Sequence, residues 1–210
     1  MRNINWTLIR AKVKEAVLVL PHFFKNPVQG MRTLPDWEWP EMLILEGAFA
    51  AACAVISNLI ARNILAMITG IVIAPIATII ALGIGAGFFY YCFKFFFHRE
   101  IPYRQIFQTM VFASIPLMLT SVISPVIPPI ILLGCGAMMM LLYIGFTDNF
   151  HLERPRIKKL LIGLTLLYVA FWAFALVRTT SRHERLRLKA TPESLDILEK
   201  ELNNDGDSSN

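Results

Sequence analysis

From residue 105 to residue 147 the chain carries no Asp, Glu, Lys, Arg or His, yet the same stretch holds Pro116, Pro125, Pro128 and Pro129. A continuous helix of that length would be about twice the hydrocarbon thickness of a bilayer, which is about 30 Å. The segment therefore has to fold back on itself. Residues that precede proline are pushed out of the helical region, and "SPVIPP", residues 124–129, gathers three of the four prolines. That hexapeptide is the predicted tip of a hairpin between two apolar spans. Pro116 falls inside the first arm, where a kink is expected, with Ser114 close by to help satisfy freed backbone groups.

The rest of the chain has the same character. Charged residues make up 17% of the 210, against about 25% in an ordinary globular domain. They cluster at junctions: Arg154, Arg156, Lys158 and Lys159 separate the long uncharged stretch from another at 160–177. Confining charge to the ends of apolar blocks is what a bilayer imposes, because an ionised side chain at its centre costs a few kcal/mol or more, roughly. The expected fold is all-α and polytopic, with about five transmembrane helices. The first is read at 42–61, with Glu46 one turn inside. Residues 64–97 are too long for one upright crossing, and Pro75 divides them into a short half-immersed or re-entrant piece and a second span at 76–97. The third span ends at the proline hairpin, the fourth occupies 130–146 and the fifth 160–177. Gly83, Gly85 and Gly87 in the second span, and Gly134, Gly136 and Ala137 in the fourth, are expected packing positions.

Three parts follow: residues 1–41, residues 42–177 and a polar tail at 178–210. In the first, Trp6, Ile9, Val13, Ala16, Val17 and Leu20 form one apolar stripe of an amphipathic helix over 1–25, with Arg10, Lys12 and Lys14 opposite. Such a helix suits the headgroup layer, and its stripe also suits docking on the bundle. Trp37 and Trp39, in the connector after it, are expected at the membrane–water boundary. The tail starts basic, continues as a short helix and ends in a segment with the composition of disorder. Six Lys and Arg precede the first span, three lie between the second and third, and four lie between the fourth and fifth; the opposite loops have only Arg62. This asymmetry predicts a cytoplasmic N-terminus. Five spans then put the basic tail on the far side, against the same rule.

Candidate chemistry is sparse. Cys53, Cys92 and Cys135 each sit in an apolar block without paired spacing, which points to packing. His22, His98, His151 and His183 fall in junctions. "DNFHLE" at 148–153 reads as a solvated loop, and "GIGAG" at 83–87 as helix packing, since no Lys-Ser/Thr follows it. No catalytic, cofactor-binding or metal-binding residue is expected. Nucleic acid is not an expected partner, because the net charge of +5 is spread along the flanks of spans. The intramembrane polar candidate is Glu46. The structural candidates are Pro75, Pro116, Pro125, Pro128 and Pro129. The first reading is a non-enzymatic protein that shapes or organises the membrane, or scaffolds membrane partners or further copies of itself. The alternative is a small permease or channel subunit for an uncharged or weakly polar solute, if Glu46, Asn58, Thr78 and Tyr143 converge.

The order of parts resembles the Yip-one domain family. The resemblance rests on "LIRAKVKEAVLVLP" with "KNPVQGM", on "GAGFFYYCFK" closing the second span, and on "PYRQIF". It rests also on the Ala113, Ser114 and Pro116 kernel of the third span and on the basic loop before the last. It covers about residues 8–177. It implies five spans, a cytoplasmic N-terminus and no catalytic residue. Eukaryotic members act in vesicle trafficking and bilayer shaping through Rab GTPases; the short N-terminal segment here resembles bacterial inner-membrane relatives instead.

Overall fold

The computed structural model describes residue 21 and residues 23–35, 37–62 and 64–187, with side chains as far as residue 175. Most of the expected amphipathic helix at 1–25 and the end of the tail, 188–210, lie outside the described residues. Among those described the protein is all-α, and five helices are long and apolar enough to cross a membrane.

The connector contains a short helix, α1 (Pro27–Arg32). The Asn26 side chain accepts from the Gln29 amide at 3.2 Å, and Pro27 occupies the first turn, where a missing N–H costs nothing. The first span, α2 (Trp39–Ile60), starts with a capping box in which the Glu38 amide donates to Glu41 at 2.7 Å. It is followed by α3 (Ile64–Phe96), α4 (Tyr103–Ile123) and α5 (Ile130–Ile144). The last continues into a π turn (Gly145–Asn149) before α6 (Arg154–Arg187). His98 and His151 close α3 and the π turn in the left-handed region, with φ of 51° and 50°. Each lets an amide reach back to a carbonyl left over by the helix: Arg99 to Phe93 at 3.1 Å, and Leu152 to Phe146 at 3.4 Å.

Pro75 does not divide its stretch. Residues 64–75 are the first part of a 33-residue helix, not a re-entrant piece, which corrects the expectation above. A proline removes a single ladder bond, and α3 packs antiparallel along α2, which holds the helix through it; the ring lies beside Gly47, where a Cβ would make only ordinary contact at 3.9 Å. The Thr78 hydroxyl donates to the Ala74 carbonyl at 2.9 Å, three residues beyond the Ile71 carbonyl that Pro75 leaves without its donor. At about 50 Å, α3 exceeds the hydrocarbon thickness. Its last turns carry the aromatic run, in which Phe89 lies tilted and Phe93 edge-on to Phe146, each 4.9 Å from it.

Helix α4, uncharged from Gln105 onward, is the centre of the bundle. From Ile106 to Ile115 every residue is buried, while the far face of α3 exposes Leu65, Ile68, Val72 and Ile73 to the lipid side. The core lies mostly at the end where the N-terminal connector enters. There Phe23, Met31 and Trp37 are buried. Trp37 is therefore no boundary anchor: it packs 5.2 Å from Phe112, inside the bundle. Trp39 is partly exposed and stacked 5.8 Å from Tyr103. Beyond Thr165 the chain forms a second compact unit, in which α6 exposes Leu166, Leu167, Phe171 and Phe174 and continues as helix to Arg187. The tail expected from 178 thus begins as helix.

Candidate functional site

Apolar positions Met42, Leu45, Ala50 and Cys53 recur at three- and five-residue steps and turn one face of α2 inward. Glu46 lies on that face and is 1% exposed. One of its oxygens, Oε2, is 3.5 Å from the Ser114 hydroxyl on α4. The other, Oε1, has no hydrogen-bond partner among the described residues. Ser114 itself donates to the Val111 carbonyl at 2.7 Å, so its single hydrogen is already engaged in a shorter bond. Glu46 is thus a buried carboxyl held by one long contact, in a setting where polar groups are ordinarily fully paired. The Ser114 kernel and the acidic residue of α2, far apart in sequence, meet in the middle of the bundle.

The other polar residues named for a solute path do not join them. The Asn58 amide donates to the Ala54 carbonyl at 2.8 Å, three turns along α2. Thr78 bonds within α3. Tyr143 lines an apolar groove with Met139, Met140 and Leu161, alongside Lys158.

Of the prolines, Pro75 and Pro116 lie inside α3 and α4. Ser114 bonds one carbonyl before the group that Pro116 leaves without a donor. Pro125, Pro128 and Pro129 form the turn between α4 and α5 as expected. Amides of Val126 and Ile127 both reach the Ile123 carbonyl, at 3.0 and 3.1 Å, and Val126 and Ile127 are exposed at the tip. Just past the turn the two helices approach closely. A Cβ on Gly134 would fall 3.0 Å from the Leu117 Cα and 1.9 Å from the Thr120 hydroxyl.

At the opposite end, α1 is fastened to the π turn. Arg32 Nε donates to Asp148 at 2.7 Å, and the Asn149 amide donates to the Met31 carbonyl at 2.8 Å. Gly145 opens the turn because a side chain there would meet Thr109 and Met31 at 2.7 and 2.9 Å. The wider turn keeps Thr147 buried, its hydroxyl on the Tyr143 carbonyl at 2.8 Å, and carries Asp148 and Asn149 towards α1. Between α1, the start of α4 and this turn lies a polar cavity of about 270 Å³. Sequence reading missed it. A usable signal existed: Gln105, Gln108 and Thr109 stand at helical spacing on one face of an otherwise apolar run. Their partners, Arg32 and Asn149, are too distant in sequence for any periodicity to connect.

A family model described as the Yip1 domain matches residues 22–177. Neither a curated protein nor a solved structure matches the chain.

Proposed function

The chain belongs to the Yip1 domain family of membrane proteins, and from that premise we propose that it is a non-enzymatic membrane-shaping protein. The observation that carries this reading is the unequal filling of the two ends of the helical unit. At one end Phe23 and, in the connector, Met31 and Trp37 are packed in with the helices. At the other, α4 and α5 close tightly around Gly134 and a proline turn. A body that takes up more area in one leaflet than in the other favours curvature. The filled end also carries most of the Lys and Arg at the span junctions, so it is assigned to the cytoplasmic face of a bacterial inner membrane. Scaffolding of membrane partners is compatible with the same surface. The permease alternative receives no comparable support, because Glu46, Asn58 and Tyr143 engage separate neighbours.

The test is reconstitution of the full chain into vesicles, with curvature read by electron microscopy. Protein-bearing vesicles should be narrower or tubulated, and a version lacking residues 1–25, and with them Phe23, should deform them less. Equal vesicle profiles with and without protein would end this reading.

A further inference from the structure

The groove between α5 and the start of α6 has a volume of about 290 Å³ and plays no part in the shaping argument. Leu161 is buried at its base, and Met140 and Ile162 are exposed at its edges. Its polar groups gather at one end. Tyr143 stands next to the last residue of α5, and Lys158 is four residues into α6. The two helices run in opposite directions, so both residues belong to the junction level. Leu161, Ile162 and Thr165 follow Lys158 along α6 for about two turns into the span. Thr165, the deepest, spends its hydroxyl on the Leu161 carbonyl at 2.8 Å, so the inner part of the groove presents apolar surface.

The neighbouring arginines are engaged, Arg156 with Glu153 at 2.9 Å and Arg154 with Asp148 at 3.9 Å. Among the described residues Lys158 has no ion-pair partner and the Tyr143 hydroxyl no hydrogen bond. One end of the groove thus offers an ammonium and a hydroxyl donor, and the rest offers hydrocarbon. That is the complement of an amphiphile with an anionic head. An empty groove in a bilayer would forfeit the dispersion contacts of its lining, and the flexible Met139 and Met140 adapt to a chain of no fixed shape. A second copy of the protein fits less well, because it has no acid to spare for Lys158 at this end among the described residues. Asp148, Glu153 and Glu100 are paired, and Glu38 and Glu41 share the capping box.

We propose that this groove holds one acidic phospholipid of the bilayer, with its phosphate on Lys158 and Tyr143 and an acyl chain against Met139 and Leu161. Basic sites between spans take up anionic headgroups in this way. The proposal needs only the bilayer setting and stands whether or not the protein bends membranes. The full chain is purified in detergent and exposed to equal amounts of phosphatidylglycerol and phosphatidylcholine with identical acyl chains. Retained lipid is counted by native mass spectrometry. Phosphatidylglycerol should be retained in preference. Lys158→Gln should weaken its retention about fivefold, whereas Lys159→Gln, which removes the same charge one residue outside the groove, should leave it intact. Met140→Trp, which fills the groove without touching its charge, should lower retention of both lipids.

Thermal unfolding of each variant without added lipid identifies any that has lost its fold. Lys158 and Lys159 are both exposed, so that pair carries the comparison if Met140→Trp fails to fold. Equal losses in Lys158→Gln and Lys159→Gln would overturn the proposal, leaving only a generally basic surface. So would a wild-type chain that holds the two lipids equally. Retention that responds to neither Lys158→Gln nor Met140→Trp would mean that protein fills the groove. A dimer that Met140→Trp dissociates would give the groove to a second copy of the chain. Either result would overturn the lipid assignment.

Discussion

Glu46 is the residue whose surroundings least resemble a stabilising arrangement. It has one long contact to Ser114 and one oxygen with no partner among the described residues. Replacing a poorly paired buried polar group by an apolar one of similar size is commonly neutral or favourable, whereas adding an unpaired cation there costs about 3 kcal/mol or more. Glu46→Leu should therefore leave the unfolding midpoint of the reconstituted protein unchanged or raised, while Glu46→Lys lowers it sharply. A loss above about 2 kcal/mol for the leucine variant would show that the carboxyl supports the fold. Sequence alone could place Glu46 one turn inside a span. It could not say that the side chain faces α4, because that depends on the rotation of α2 about its own axis, which neighbouring helices set.

Glycines in the second and fourth spans were all expected to pack, and the helices sort them. Gly134 meets the backbone of α4, whereas a Cβ on Gly136 or Gly87 would find nothing within 4 Å. Gly134→Ala is expected to cost about 1–3 kcal/mol by forcing α5 off α4. Gly136→Ala and Gly87→Ala should be neutral or stabilising by up to about 1 kcal/mol, since alanine is the better helix former. Unfolding of the three variants in one detergent would check the order, and equal costs would mean that the α4–α5 contact is looser than the structure shows. Pro75 makes a related point. Proline lowers the odds of helix wherever it occurs, but the cost falls on one ladder bond, and packing of α3 along α2 carries the helix through it.

The whole molecule follows an alternation of sides that labelling can read. With the connector end in the cytoplasm, a single cysteine in place of Arg62 should react with a membrane-impermeant maleimide from outside the inner membrane, and one in place of Glu100 only after permeabilisation. Cys53, Cys92 and Cys135 are buried and should contribute little background. The reversed pattern would invert the assignment of leaflets and with it the sense of curvature. The all-α class, the number of crossings and the hairpin at 124–129 were legible in the sequence because each depends on local quantities: the length of an apolar run, the position of charge and the backbone chemistry of proline. The burial of Trp37, the continuity of α3 through Pro75, the approach of Ser114 to Glu46 and the cavity joining Arg32 to Gln105 were not. Those were decided by which helix faces touch, and apolar residues that line every face of a span leave that choice to the shapes of all the partners together.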